Sequence, residues 1–298
     1  MVLSRQYAKL CDVEDFDERL RARVREIVPG LEGNADLHRK YWEYATLTFF
    51  LEDVGLTEKT SILSVGAGHE EVLFWLANHA GRVVATDIYG EGDFEGREAE
   101  ATMLTNPTAF APYSYREDRL EVAHMDARQL EYPDGAFDAV FTLSSIEHFG
   151  SSEDIGRAAR ELARVLRPGG HAFVVTECFV EPKLLDSRIV QAAGRVASFG
   201  RFWAKASLRR RTIDVFTADE INQWIVITSG LRLMQPVNRS VSLSSLENVI
   251  TLRGDEIDAS VSRPYPHVLI QAATAVGPLN LTTGRWTSVA LPLEKHSA

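Results

Sequence analysis

A glycine turn followed at a fixed distance by an acidic residue is the part of this sequence that points most directly to chemistry. Gly66 and Gly68 follow a short apolar run, and Asp87 ends a second apolar run 19 positions after Gly68. Glycines let a ligand approach the backbone without meeting a Cβ atom. A carboxylate at this interval is typical of nucleotide-binding units, in which it meets the ribose hydroxyls. The spacing therefore predicts a nucleoside site.

The residues after the turn indicate which nucleoside it binds. A dinucleotide fingerprint has a third glycine at position 71, whereas this chain has Glu71, preceded by Glu70. Two carboxylates suit the positive end of a helix dipole, but they would repel a pyrophosphate. S-adenosylmethionine (SAM) carries a sulfonium and an ammonium and no phosphate. The sequence therefore favours SAM over NAD.

The elements that position these residues can be predicted from hydrophobic periodicity. A strand ends at Val65, the spacing over 72–80 is that of one helix face, and residues 82–87 form a second strand. Three further strands follow, with a helix capped by Ser151 and Asp154 before the last of them; these strands cover 120–125, 137–143 and 171–176. The alternation predicts an α/β, doubly wound, Rossmann-like sheet, mostly parallel, with ligands at the carboxyl ends of its strands.

The flanking segments predict additions to this core, which we place at 60–237. Residues 1–59 have the spacing of helices over 15–28 and 35–51, and form an N-terminal helical cap or lid. Within it, Arg39 or Lys40 could reach a ligand carboxylate; otherwise the helix only caps the sheet. We also expect a helix over 95–104 and a strand over 231–237. Residues 238–298 are predicted as a β-rich extension that completes the sheet with an antiparallel edge.

Composition narrows the function classes. The formal charge is −10, which argues against general nucleic-acid binding, and the two cysteines have no metal-ligand spacing. No apolar run approaches about 18 residues, so we expect no membrane-spanning segment and a cytoplasmic protein. Residues 188–211 contain seven basic and no acidic residues, interleaved with apolar ones. This insert could be a solvated helix, a site for a phosphorylated acceptor or a peripheral membrane contact.

With these motifs in place, the chain resembles the class I SAM-dependent methyltransferases of the broad UbiE/UbiG-like group (methyltransferase type 11). The resemblance covers roughly 60–233 and rests on SVGAG, Asp87, the MDA motif at 125–127, FDAVFTLSSIEHF at 137–149 and LARVLRPGG at 162–170. GAGHEE and the terminal TSVALPLEK also resemble bacterial methyltransferases found among glycan-assembly enzymes. The resemblance implies SAM as cofactor and S-adenosylhomocysteine (SAH) as product.

The resemblance also implies roles for the residues of the first two strands. Gly66, Ala67 and Gly68 would line the methionine part of SAM. Asp87 would hold the ribose, with Ile88 beside the adenine.

Further roles fall on the later strands. Asp126 would accept a hydrogen bond from the adenine amino group, and Ala127 would donate one from its backbone. Ser144 would contact the cofactor through its main chain. The first-strand acid of the family pattern is Ser64 here, so we expect binding of the SAM ammonium to pass to Glu70 or to water.

His148, which follows the strand at 137–143, is the candidate general base. A hydroxyl with a pKa far above 7 gains from a base that titrates near neutrality, although alignment supplies much of the catalysis. Glu147 is an alternative base or an orienting partner. His148 could instead only pack or contact the cofactor.

We expect a SAM-dependent methyltransferase that acts on a hydroxyl of a carbohydrate or glycan precursor. Methylation of a small metabolite, a natural product or a lipid is the nearest alternative. An NAD(P)-dependent oxidoreductase and a non-catalytic SAM-binding protein are the alternatives from other classes. The sequence leaves the oligomeric state open.

Overall fold

The computed structural model describes residues 3–31, 38–92, 96–183, 186, 214–253, 268–276 and 279–297. The basic segment 188–211 lies outside these residues. Within the described ranges, no helix is both long enough and apolar enough to cross a membrane.

Helices and strands alternate through the middle of the chain. The helices are α1 (Glu18–Ile27), α2 (Arg39–Asp53), α3 (Val72–His79), α4 (Thr102–Thr105), α5 (Ser152–Val165), α6 (Ala218–Ile221) and α7 (Leu243–Glu247). The strands are β1 (Lys9–Leu10), β2 (Ser61–Val65), β3 (Arg82–Asp87), β4 (Leu120–His124), β5 (Phe137–Leu143), β6 (Leu166–Glu181), β7 (Arg232–Leu233), β8 (Val249–Arg253), β9 (Leu269–Val276), β10 (Leu279–Thr282) and β11 (Arg285–Glu294). A π-helical turn, Asn222–Ile227, extends α6.

The eleven strands form one mixed sheet, in which eight lie in the order β10-β9-β11-β6-β5-β2-β3-β4. The short strands β1 and β7 also pair with β11, and β8 pairs with β9. Five neighbouring strands, in the order β4, β3, β2, β5 and β6, pair in parallel. Strand β11 then pairs with β6 in antiparallel orientation. The predicted mostly parallel sheet with an antiparallel edge is confirmed. The division at 59 and 237 stays a prediction.

The sheet is buried on both faces. Along β2, Ile62 belongs to one hydrophobic cluster and Leu63 to the other, because neighbouring side chains of a strand point to opposite faces. Helices α1, α2 and α3 contribute to the first cluster, and α5 contributes to the second. Helices on both faces of a mainly parallel sheet make the doubly wound arrangement predicted from the sequence.

Two predicted elements are shorter in the structure. The helix expected over 95–104 is limited to Thr102–Thr105, because residues 96–99 form turns. The strand expected over 231–237 is limited to Arg232–Leu233. There the side chain of Gln235 accepts hydrogen bonds from the backbone N–H groups of residues 7 and 8, at 2.8 and 3.3 Å, which turns the chain towards β1.

Candidate functional site

The glycine turn after β2 has a backbone that other residues would strain. Gly66 and Gly68 have φ angles of 67° and 48°, in the left-handed region. A Cβ atom on Gly66 would lie 2.6 Å from the Cβ atom of Ser145, and one on Gly68 would lie 2.7 Å from the carbonyl oxygen of Glu98. Glycine is therefore required at both positions, as the sequence pattern predicted. Ala67 between them is fully buried.

Asp87 lies at the end of β3, directly opposite this turn. One carboxylate oxygen accepts a hydrogen bond from the Gly68 N–H at 2.9 Å, and the other accepts one from the Ile88 N–H at 2.8 Å. Burial raises the pKa of Asp87, while the two backbone donors act to lower it. Each oxygen keeps a further lone pair, so the carboxylate can accept hydrogen bonds from two neighbouring hydroxyls of a ligand.

Asp126 and Ala127 follow the next strand along the sheet edge. The carboxylate of Asp126 accepts hydrogen bonds from the Arg128 side chain on both oxygens, at 2.6 to 3.0 Å. This contact lowers the pKa of Asp126. Ala127 is buried. A role for the two residues at the adenine stays a prediction.

Ser144, directly after β5, has a φ angle of 49° and is the single non-glycine residue with a positive φ in the described part of the chain. Its N–H donates to the Val175 carbonyl at 2.9 Å, and its hydroxyl donates to Glu43 Oε1 at 2.8 Å. Such strain persists only where surrounding contacts impose it, and it is commonest at functional sites.

The first turn of α2 brings charged side chains to the glycine turn. His38 caps this helix, since its Nδ1 accepts a hydrogen bond from the Lys40 N–H at 3.1 Å. Lys40 forms an ion pair with Glu70, lies 3.4 Å from Glu43 Oε2, and donates to the Leu143 carbonyl at 2.9 Å. We call Lys40, Glu43 and Glu70 the Lys40 cluster. It lies between the glycine turn and the end of β5.

His148 lies in a short turn after β5, and its bonded partner is Asp214. The distance from His148 Nδ1 to Asp214 Oδ2 is 3.3 Å. Burial acts to lower the pKa of His148, but the hydrogen bond to Asp214 and the charges of Glu147 and Asp214 outweigh it, so the pKa is raised. Asp214 is not among the residues predicted from the sequence, because nothing in the sequence pattern joins two residues 66 positions apart.

Glu147 precedes His148 in the same turn, and its side chain is buried. Its carboxylate accepts hydrogen bonds from the Thr176 hydroxyl at 2.8 Å and from the Glu177 N–H at 3.2 Å. Glu177 in turn contacts Arg39 of α2 at 2.5 Å. Glu147 therefore acts on His148 through its charge, whereas the orienting contact expected of Glu147 is made by Asp214. Burial raises the pKa of Glu147 to about 7, which keeps it in the range of a base.

The buried carboxyls predict how stability depends on pH. Burial raises the pKa of Glu70 to about 8 and that of Glu147 to about 7, so the folded state holds protons that the unfolded chain releases above about pH 4.5. By linkage, the unfolding free energy of the ligand-free protein should fall by an amount on the order of several kcal/mol between pH 5 and pH 8. Urea unfolding at several pH values measures it. Glu147→Gln should flatten the slope, and a profile that rises towards pH 8 would contradict the assignment.

The turn and Asp87 fit SAM. The glycine turn packs against Ser145 and the Glu98 carbonyl with no room for a Cβ atom, and Asp87 presents two fixed acceptor oxygens at the end of the neighbouring strand. The Lys40 cluster and the adjacent Glu71 supply three carboxyl groups against one ammonium, and the net charge stays negative when Glu70 is protonated, which suits a cationic ligand and disfavours a pyrophosphate. Among the described residues, no cluster of three or more His, Cys, Asp or Glu side chains could hold a metal ion.

Comparison with known proteins agrees with this geometry. Residues 63–174 match a family model described as a methyltransferase domain. The chain is 27% identical over 206 residues to the 27-O-demethylrifamycin SV methyltransferase of Amycolatopsis mediterranei, an alignment that covers 63% of this chain and 70% of that protein. It is also 30% identical over 109 residues to the methyltransferase GfsG of Streptomyces halstedii. This alignment covers 37% of this chain and 34% of that protein.

A solved structure shows the same fold over almost the whole chain. The [4+2]-cyclase SpnF superimposes with a TM-score of 0.52 at 17% identity, covering 90% of this chain and 86% of SpnF. A likeness at this identity concerns the fold alone. Since SpnF is described as a cyclase, the reaction must be argued from the residues of the site and not from the fold.

Proposed function

Because this chain belongs to the class I SAM-dependent methyltransferases, we propose that it transfers the methyl group of SAM to a hydroxyl oxygen of a small organic acceptor. Gly66, Ala67, Gly68 and Asp87 would hold the cofactor at the carboxyl ends of β2 and β3. SAM, when bound, supplies an electrophilic methyl group and leaves as SAH. The chain's own residues must then align the acceptor and accept its proton.

The pairing of His148 with Asp214 is the observation that carries the proposal for oxygen. A hydroxyl loses its proton during methylation, so a base near neutrality accelerates the transfer. Asp214 binds Nδ1 and favours the tautomer with its proton there, which makes Nε2 the basic nitrogen. The carboxylate also stabilises the imidazolium that forms once His148 has taken the proton.

The acceptor class is the finer part of the proposal. The rifamycin relative is named for methylation at an oxygen of a natural product, which supports a hydroxyl acceptor. A carbohydrate or glycan precursor, expected from the sequence, is our first choice within that class. The UbiE/UbiG-like grouping, a cytoplasmic location and a peripheral membrane contact through 188–211 also remain predictions.

Calorimetric titration followed by a transfer assay tests the proposal. SAM and SAH should bind with micromolar affinity, whereas NAD and NADP should not. Purified protein with SAM carrying a labelled methyl group should then label nucleotide-sugar or polyketide acceptors that have free hydroxyls, and should not label the same acceptors with those hydroxyls blocked. Label on nitrogen or carbon in place of oxygen would contradict the role given to His148.

Asp87→Ala provides a direct test of the cofactor site. Loss of the carboxylate should weaken SAM binding by about 1–3 kcal/mol, because hydrogen bonds to a charged group are lost. The titration that measures wild-type affinity measures this change. Asp87→Asn, which keeps one acceptor for the turn, should fall between the two proteins, and Glu131→Ala on the exposed surface should bind as wild type does. Unchanged affinity in Asp87→Ala would mean that the ribose is held elsewhere.

A further inference from the structure

The Lys40 cluster contains two buried carboxylate oxygens that no donor satisfies. Glu43 is fully buried, and its Oε2 has no hydrogen-bond partner, although Lys40 Nζ lies 3.4 Å away. Glu70 Oε2 is likewise buried and without a partner. A buried acceptor without a donor has lost its hydration without a replacement, and the cost is larger when the group is charged. Two such atoms around one lysine indicate a site that is completed by a cation.

Glu43 is held rigidly for this task. Its Oε1 accepts hydrogen bonds from the Ser144 hydroxyl at 2.8 Å and from the Ser288 hydroxyl at 2.6 Å, so one edge of the carboxylate is fixed and the other is left without a hydrogen bond. The partners come from the turn after β5 and from β11. Three separate elements thus position a single carboxylate beside the glycine turn.

The first strand offers no acid that could do the same. Ser64 stands where the family pattern has an acidic residue, and its buried hydroxyl also lacks a hydrogen-bond partner. Negative charge at this end of the site therefore comes from Glu43 and Glu70, with Glu71 nearby. The Glu71 carboxylate is engaged by the Tyr44 hydroxyl at 3.0 Å.

We propose that Glu43 and Glu70 together bind the ammonium of the amino-acid end of SAM, and that Lys40 holds the two carboxylates in place between them. The inference rests on the proposed function, because it takes SAM as the ligand. It assigns Glu43, on α2 and outside the matched region 63–174, to the cofactor site. A deleted or misplaced α2 would then leave a methyltransferase domain that binds the adenosine part but not the methionine part.

Release of a proton from Glu70 when the ligand binds provides a second test of this assignment. Burial raises the pKa of Glu70 to about 8, so the ligand-free protein carries a proton there at pH 7. The charged groups that face Glu70 are Lys40 and Glu43 of α2 and the adjoining Glu71. An arriving ammonium adds a positive charge that favours the carboxylate form. Binding of SAM or SAH at pH 7 should therefore release a proton from Glu70.

Comparison of SAH with 5′-methylthioadenosine, which has the nucleoside and thioether but no amino-acid end, tests the proposal by calorimetry. Glu43→Gln should weaken SAH binding by about 10- to 100-fold and should leave methylthioadenosine affinity within about twofold. Retained methylthioadenosine binding also shows that the variant is folded. Glu52→Gln, on the same helix but paired with Arg23, should bind both ligands as wild type does.

The outcomes separate the inference from the function on which it rests. If wild-type protein binds neither SAM nor SAH, the proposed function itself fails. If wild type binds both, equal losses for the two ligands in Glu43→Gln, or no loss, would overturn the ammonium site alone. Titration in two buffers of different ionisation enthalpy supplies the proton count. Proton release that persists unchanged in Glu70→Gln would remove Glu70 from the site.

Discussion

His148→Ala is expected to lower kcat by about 10²- to 10⁴-fold, the usual contribution of a positioned general base, while SAM affinity stays unchanged. The reason is that the imidazole receives the acceptor's proton and contributes nothing that the cofactor site requires. Initial rates at saturating SAM, together with calorimetric SAM titration, separate the two effects. Equal turnover in wild type and variant would show that alignment alone drives the transfer and that His148 is structural.

Asp214→Asn is the matched control for this effect. The Asp214 carboxylate raises the pKa of His148, so its loss should lower that pKa and move the rising limb of the pH–rate profile to lower pH. The asparagine keeps the size of the side chain, which isolates the charge. A smaller loss of rate than in His148→Ala, with the limb displaced, would fit an orienting role. An undisplaced limb would separate Asp214 from the base.

Gly66→Ala is expected to destabilise the protein by about 2–4 kcal/mol and to abolish measurable SAM binding, because two costs combine at one position. The φ angle of 67° is unfavourable for any residue with a Cβ atom, and that atom would lie 2.6 Å from Ser145 Cβ and 3.0 Å from the Phe149 ring. Relief of the contact would displace the turn after β5 that carries His148. Thermal unfolding and calorimetry measure the two losses.

Gly230→Ala separates the cost of backbone strain from the cost of the steric contact. Gly230 has a similar φ of 71°, but a Cβ atom there would meet nothing within 4 Å. This substitution should therefore cost only the backbone term, about 1 kcal/mol, and leave SAM binding intact. If Gly66→Ala proved as mild as Gly230→Ala, the close packing of the glycine turn against Ser145 would be wrong.

The parts of the fold set by nearby residues could be predicted from the sequence. The bounds of β3 and β5 agree with the apolar runs, and the capping box of Ser151 and Asp154 opens α5 as expected. These elements depend on periodicity and local hydrogen bonds, which a single sequence displays. The helix expected over 95–104 is present only at its carboxyl end, since residues 96–99 form turns.

The parts of the site that sequence reasoning missed are those assembled across long separations. Asp214 reaches His148 from a segment beyond the basic insert, and Ser288 reaches Glu43 from a position 245 residues away. Glu43 did leave a signal, since it is the single charged residue between positions 41 and 51. A charge in the middle of a packed helix requires partners, but only the folded structure brings them together beside the glycine turn.

The pairing of β1 with β11 has a consequence for how the chain folds. Lys9 pairs with Ala290 and β11 fills the place beside β6, so the antiparallel half of the sheet joins residues that are 281 positions apart. Contacts of such high sequence separation form late and slowly, since a long loop must close before they contribute. During synthesis, β2 to β6 can assemble while Glu43 still lacks Ser288. We therefore expect the parallel half of the sheet to form before the hydrogen bonds that fix Glu43 are complete.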